Sequence, residues 1–553
     1  MLQQNLIKLY QESFRANREL PALTDYFKKE TFSYYEMAKE IAKLHLLFQA
    51  CRIKKGDRIA LIGRNNPRWV IAYLGTITYG AVIVPILQDF HPNDVHHIIN
   101  HSESQLLFVG DTLWDMIETG RIEEVKAAFS LTDFACLYER KGRTVTRFQQ
   151  HITKHYRGRY RKGFKVEDIK YPEIPNDKMV LLNYTSGTSG FSKGVMLTVN
   201  NLTGNVMFGI DNEIHFRGSR VLSFLPLAHA YGCAFDMLLP LSLGSHVTLL
   251  GKIPSPKILL EAAAEVKPHV VCCVPLILEK IYRKQIVPIL GKSILKMAMK
   301  IPLLDTRVYS SICRKLMDAF GGAMDQIIIG GASINPEVEE FLRRIKFPFT
   351  VGYGMTECAP LISYTYRTNF KLGSCGKILP GYMEGEIDSP DPQHVPGELR
   401  VRGENVMLGY YKNAAATEEV FDADGWLHTG DVGTMDPDGT LYLRGRNKSI
   451  ILGPNGQNIY PEGIEAKLNN LYCVMESLIV SRDGKLVALV VPDFEQADAE
   501  EIPSSQLEQI MADNLHILNG EVASYEQISE IVLYPNEFEK TPKKSIRRYL
   551  YNV

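Results

Sequence analysis

The sequence predicts an α/β fold: a large N-terminal body of parallel-rich α/β subdomains plus a β-rich subdomain, with a small mobile α+β C-terminal domain. Apolar, β-branched runs alternate with helical segments from residue 56 to beyond residue 330, the texture of parallel strands covered by helices on both faces. After Gly373 the text turns to short strands and Asp-Gly turns, which read as antiparallel. Beyond Arg446 helices and one further hairpin form a unit of their own.

In order, the first twenty residues, MLQQNLIKLYQESFRANREL, space apolar positions as a helix does and lack the apolar core of a signal peptide. From Gly56 follow a strand (GDRIALIG), a helix over 67–78, a strand (AVIVPIL), a helix around NDVHHIINHS and a strand (QLLFVG). The uncharged stretch 69–87 approaches the length of a membrane span. Gly80 and Pro85 divide it, and its second half is β-branched, so it reads as a buried helix entering a buried strand. Strand units recur at SRVLSFLP, SHVTLL, HVVCCVP and DQIIIGG. Residues 280–321, including RKQIVPILGKSILKMAMK, read as a solvated helical insertion, with a basic amphipathic surface near lipid as the other reading. GELRVRG, DADGWLHTGD and DPDGTLYLRGR read as antiparallel strands. A helical start at YPEGIEAKLNN, a hairpin about Asp483-Gly484, helices through SSQLEQIMADNLHILN and a basic end, KTPKKSIRRYLYNV, complete the chain. The boundary is expected at 445–448, dividing the protein into 1–445 and 446–553.

Composition removes some function classes. Lys plus Arg total 62 and Asp plus Glu 63 in 553 residues, a net charge of −1, so no bulk electrostatic footprint for nucleic acid exists. Nine cysteines without a C-x-x-C pair, only Cys272 and Cys273 being close together, suit neither a disulfide scaffold nor a zinc site. They point to a reducing, cytoplasmic setting.

The sharpest local feature is YTSGTSGFSKG at 184–194. Gly187, Gly190 and Gly194 let backbone N–H groups approach a ligand, Thr185, Ser186, Thr188, Ser189 and Ser192 offer hydroxyls, and Lys193 adds charge. Those are the parts of a phosphate cradle. Gly194 follows the lysine where a P-loop has Ser or Thr, so a Walker-type hydrolase is not indicated. Tyr353 between two glycines suits a ligand platform, Asp431 is an acceptor suited to two sugar hydroxyls, and Arg446 is a donor fork. Thr185 and Glu357 can offer hard oxygens to Mg²⁺; a capping hydroxyl and a helix N-terminal acid are the plainer readings. His229 after an apolar strand is equally well a structural histidine.

With LPLAHAYG (225–232), GGAS (330–333), GYGMTE (352–357), GWLHTGD (425–431) and GRNKSIILGPNGQNIYPEGIE (445–465) following in order, the chain resembles the adenylate-forming superfamily over nearly its whole length. That resemblance implies ATP, Mg²⁺ and coenzyme A as cofactors and substrates. It implies that Tyr353 stacks on adenine, with Gly330, Gly331 and Ala332 at the base edge. It adds Ser186, Gly187, Thr188, Gly190, Lys193, Ser333, Gly354 and Thr356 to the nucleotide contacts and places His229 beside the substrate carboxylate and the thiol path. A small domain rotating between two half-reactions would hinge at Lys448, and Gly456 would leave room for the pantetheine arm.

Two positions depart from the family pattern. Ser449 follows the hinge where many relatives carry an acid, and Ser545 occupies the slot of the C-terminal lysine that closes on the acyl carboxylate and α-phosphate. Lys544 is expected to take over that role, with Lys543 next and a protein of weakened adenylation third. The 280–321 region, the GYGMTE form and the C-terminal text look most like the long-chain fatty acid branch. Tyr231, Phe235, Val274 and Leu276 could line an acyl channel or simply form core, and no acidic residue there obviously suits an amino group. The expected activity is fatty acid:CoA ligation. The alternatives are a ligase for an aryl or other acid or for carrier-protein thiols, and a non-catalytic nucleotide- and acyl-binding homologue. A greasy substrate suggests transient contact with the inner membrane face through 280–320, and a homodimer is left open.

Overall fold

The apolar runs assemble into two large sheets. The computed structural model describes all residues except 186–191, 252–253, 291–303, 453–456, 483, 542–545 and 552–553. In the eight-stranded sheet the spatial order is Gly409–Tyr410, Lys193–Thr198, Met179–Thr185, Val82–Ile86, Arg58–Ile62, Ser104–Val109, Ala127–Ser130, Cys136–Glu139. Its middle five strands are parallel, and antiparallel strands close both edges. The seven-stranded sheet runs Phe349–Val351, Gln326–Ile329, Val270–Cys273, Arg220–Ser223, His246–Leu249, Pro21–Asp25, Thr31–Ser33, parallel except for the last pairing. Parallel strands release their C-terminal ends on one edge, the usual ligand edge of such sheets. Here that edge carries Phe224, Val274, Gly330 and Gly352.

The membrane-length stretch is interior. Asn66 caps helix Pro67–Tyr79 through Trp69 N–H at 2.9 Å, Pro67 opens it and Gly80 in a left-handed conformation ends it. Trp69 through Thr78 are buried, as is the following strand Val82–Ile86. Among the described residues no helix is long and apolar enough to cross a membrane. The 280–321 region differs from its expectation as a solvated insertion. Ile281, Tyr282 and Ile286 are buried, and Tyr282 bonds Glu337 at 2.9 Å and packs on Phe341. Its first part is therefore core, because apolar residues at helical spacing found a face to cover; residues 291–303 lie outside the described part.

After Gly373 the strands are antiparallel, as their turns suggest: Met383–Asp388, Gly397–Gly403, Leu427–Met435 and Leu441–Arg446 form one sheet in that order. Buried side chains form one continuous cluster up to Leu441. Separate clusters begin at Ile459 and cover both faces of the hairpin Val474–Arg482 and Lys485–Pro492. Ile479 belongs to one face, Leu478 and Val480 to the other, the period of two expected of a strand. The two parts touch where Arg283 donates to the Val474 carbonyl at 3.4 Å and Asn470 donates to Asn335 at 3.1 Å.

One buried group in the body lacks a good partner. Asp236 is fully buried, and neither carboxylate oxygen has a well-formed hydrogen bond, although Cys272 and Ser223 lie alongside. Burial pushes its carboxyl up from 3.8 to about 8, those two neighbours opposing weakly. The folded state thus keeps a proton that the unfolded chain releases, so stability falls as pH rises from near 4 towards 8. We expect Asp236→Asn to flatten that slope. Its gain in unfolding free energy over wild type should grow by on the order of 1 kcal/mol per pH unit between about pH 5 and pH 8 in urea titrations. A gain independent of pH would rule out a protonated Asp236.

Candidate active site

The two strands that bracket the Ser/Gly-rich stretch are antiparallel neighbours, with Thr185 opposite Lys193. The intervening residues therefore join two strands, where a P-loop joins a strand to a helix. Thr185, half-buried, and Lys193 stand at the two feet of the connection. Ser186, Gly187, Thr188 and Gly190 lie outside the described residues.

Lys193 and Glu357 meet through a residue that the sequence reading passed over. The Lys193 ammonium stands 4.8 Å from the ring centroid of Tyr410, and the Tyr410 hydroxyl donates to Glu357 Oε1 at 2.9 Å. Glu357 is buried at the start of a short 3₁₀ turn, Thr356–Cys358. Its other oxygen has no hydrogen bond among the described residues. A signal existed in the Gly-aromatic pair Gly409-Tyr410, which repeats the form of Gly352-Tyr353.

Helix Val199–Asp211 explains why these segments meet. Its buried Asn201 donates to the carbonyls of Glu404 and Val406, both at 2.8 Å. Asn205 donates to the Cys358 carbonyl at 3.2 Å and accepts from Leu361 N–H at 2.8 Å. Buried amides must find partners, and these find the backbone just after Glu357 and just ahead of Tyr410.

A second constellation lies next to the first. Asp431 and Arg446 face each other across paired strands. Arg446 Nε donates to Asp431 Oδ1 at 3.1 Å, and Tyr353 Oη donates to Oδ2 at 2.6 Å. Burial raises the Asp431 carboxyl, with Arg446 and Tyr353 opposing it, while burial and then the Asp431 charge raise the Tyr353 phenol. Arg446 is exposed and also feels the charge of Glu357, which couples the two groups. Each Asp431 oxygen already holds one protein donor and retains a lone pair for a further hydroxyl.

The remaining expected contacts divide. Gly331, Ala332 and Ser333 form an exposed turn where strand Gln326–Ile329 ends, with Gly331 at φ +85°. A Cβ on Gly330 would come within 3.4 Å of Tyr231 and of the Gly352 carbonyl, so the turn lies against Tyr353's segment. Gly354 has a packing reason: a Cβ there would fall 2.2 Å from the Pro360 carbonyl oxygen. Thr356 is buried. His229 is half-buried and caps a short helix by accepting from Tyr231 N–H at 3.4 Å. Tyr231 and Phe235 are buried, Val274 is half-buried and Leu276 is 51% exposed. Asp236 is a buried acid beside Tyr231 that the sequence reading did not single out. Lys448 is exposed in the turn Asn447–Ser449. Gly456 and Lys544 lie outside the described residues; on either side of 542–545, Lys540 bridges to Ile546 and pairs with Glu476 at 2.8 Å, and Arg548 pairs with Glu465.

The profile of a family described as AMP-binding enzyme matches residues 10–411. The chain is 27% identical over 484 residues to a long-chain-fatty-acid–CoA ligase of Escherichia coli O157:H7, spanning 84% of this chain and 80% of that one. It is 27% identical over 559 residues to long-chain-fatty-acid–CoA ligase 6 of Mus musculus, spanning 92% and 78%. Among solved structures, ATP-bound MatB from Rhodopseudomonas palustris superposes with a TM-score of 0.77 at 20% identity over 99% of this chain and 98% of that one, a likeness of fold.

The Asp431 pair can be tested directly. If its carboxylate holds a nucleotide sugar, Asp431→Asn should weaken AMP binding about tenfold and Tyr353→Phe about fivefold in calorimetry, from the loss of charged and neutral hydrogen bonds respectively. Wild-type affinity in Asp431→Asn would discard that assignment.

Proposed function

This chain belongs to the AMP-binding enzyme family, and on that premise we propose that it is a fatty acid:CoA ligase working in two half-reactions. A fatty acid carboxylate oxygen attacks the α-phosphorus of ATP, pyrophosphate leaves and an acyl-adenylate forms. The thiol of coenzyme A then attacks the acyl carbon, forms the thioester and expels AMP. The observation that carries this reading is the adjacency of the two constellations. Lys193 at the strand pair and Glu357, joined through Tyr410, suit phosphates, and Asp431 with Arg446, which feels the Glu357 charge, suits a sugar beside them. Fatty acid as the substrate class is supported by the names of the two relatives, each matched over more than three-quarters of its length.

In this reading Lys193 binds phosphate oxygens, Asp431 and Arg446 hold the ribose, and Tyr353 with Gly331, Ala332, Ser333, Gly354 and Thr356 receives adenine. Thr185 and Glu357, whose Oε2 has no hydrogen bond among the described residues, fit Mg²⁺, which takes hard oxygens and usually only one or two from protein. When bound, the metal would neutralise charge on the phosphates. Catalysis otherwise rests on positioning and fixed charge. Residues 1–445 form the body and 446–553 a lid hinged near Lys448, and Lys544 is the lysine that closes on the α-phosphate. Contact with a membrane surface through 280–320 would suit the substrate.

Ser545 favours one second reading, a nucleotide- and acyl-binding homologue of little catalytic power. Incubating the protein with MgATP, coenzyme A and a panel of fatty, aryl and amino acids decides between them. We expect AMP release that requires both a fatty acid and coenzyme A. AMP without a coenzyme A requirement would indicate a carrier-protein thiol, and ATP binding with no AMP from any acid would leave the non-catalytic reading. Separately, Lys544→Ala should slow pyrophosphate exchange by roughly 100-fold or more, the scale of one lost transition-state contact, while thioester formation from preformed acyl-adenylate persists. Wild-type exchange in both Lys544→Ala and Lys543→Ala would refute the relocated lysine.

A further inference from the structure

Tyr410 lies far in sequence from both residues that it touches. Its backbone is locked to the edge of the eight-stranded sheet: Tyr410 pairs with Val195 and Gly409 with Met196, Leu408 N–H donates to the Met196 carbonyl at 3.0 Å and Tyr411 N–H to the Gly194 carbonyl at 2.7 Å. Side chains alternate along a strand, so Lys193 and Val195 share a face, and the Tyr410 ring opposite Val195 comes under the Lys193 stem. Thr417 Oγ1 accepts from Tyr410 N–H at 2.9 Å. Gly409 is obligatory beside it, since a Cβ there would approach Thr417 within 2.6 Å. A ring only 7% exposed, anchored on both flanks, has little rotamer freedom.

We propose that Tyr410 is a positioning residue of the adenylation site: its ring seats the Lys193 ammonium and its hydroxyl orients Glu357, so one side chain sets the spacing between phosphate-binding cation and metal-binding carboxylate. This rests on the ligase reading above. Lys193 is a flexible four-carbon stem whose ammonium would otherwise sample many rotamers. A desolvated aromatic face beneath it restricts that sampling and adds cation–π attraction. At Glu357 the single phenolic proton occupies Oε1 and thereby turns Oε2 towards other ligands.

Two substitutions separate the two functions of the side chain. Tyr410→Phe keeps the ring and removes the hydroxyl; Tyr410→Leu removes both. The measurements are calorimetric affinity for ATP without metal, binding of Mn²⁺ to the ATP complex by electron paramagnetic resonance, pyrophosphate exchange and the melting temperature. For Tyr410→Phe we expect Mn²⁺ affinity to fall about fivefold with metal-free ATP affinity unchanged, the loss of one hydrogen bond to a carboxylate. Tyr410→Leu should in addition weaken metal-free ATP binding about tenfold, since Lys193 loses its seat. Both should lower the maximal rate of pyrophosphate exchange. Wild-type affinities for Mn²⁺ and ATP in the two variants, with a wild-type enzyme that binds both, would overturn the proposal while leaving the ligase reading intact. The same holds if Tyr410→Phe weakens Mn²⁺ and ATP equally, as general loosening would. A wild-type protein that binds neither ATP nor Mn²⁺ would overturn both.

Discussion

The candidate site depends on two residues of backbone, Gly409 and Tyr410, pairing with the free edge of the eight-stranded sheet. That pairing closes a loop of more than two hundred residues between Lys193 and Tyr410. The entropy of closing so long a loop rises only slowly with its length, but it must be met by many contacts made together. They are supplied by buried amides: Asn201 and Asn205 on helix Val199–Asp211 satisfy carbonyls of Glu404, Val406 and Cys358. Each unsatisfied partner would cost on the order of 1–3 kcal/mol, so the segments are held in register by what they would lose if they slipped.

Charge is placed with similar economy. Glu357 and Asp431 are both buried carboxylates, and each is held by a tyrosine hydroxyl. A phenol neutralises no charge, so neither carboxylate is consumed in a closed ion pair and each keeps acceptor capacity. Among the described residues Arg446 is the one cation within ion-pair distance of Asp431, and it is largely exposed. Solvent screening leaves that pair weak. Asp236 shows the opposite case, a buried carboxyl without a good partner, which survives by keeping its proton.

Much was legible before the fold was seen. The alternation of strands and helices, the antiparallel texture after Gly373, and the interior character of Trp69 and its neighbours follow from local patterns, since periodicity and turn residues act over a few positions. The family was legible as well, because six motifs in order constrain backbone approach to a ligand. Tyr410 was legible only as a Gly-aromatic pair like Gly352-Tyr353; its role was not, since that pair says nothing of partners far away in the chain. Leu276, left open between channel lining and core, is 51% exposed and so is not core, because an apolar residue at the start of a helix can face either way and only packing decides. The early part of the 280–321 region was misread for the same reason: mixed cationic and apolar residues have a solvated face and a buried one, and composition does not say how much each covers.

Sequence by itself therefore determined the fold class, the order of the elements and the kinds of chemistry available, because each of these rests on interactions between near neighbours in the chain. Only the tertiary structure decided which of those groups stand together: Lys193 over Tyr410, Tyr410 on Glu357, and Tyr353 with Arg446 on Asp431. The physical reason is that a carboxylate's burial, its remaining lone pairs and its proton are set by partners tens of residues away, brought within 3 Å or so by strand pairing and core packing rather than by any local preference.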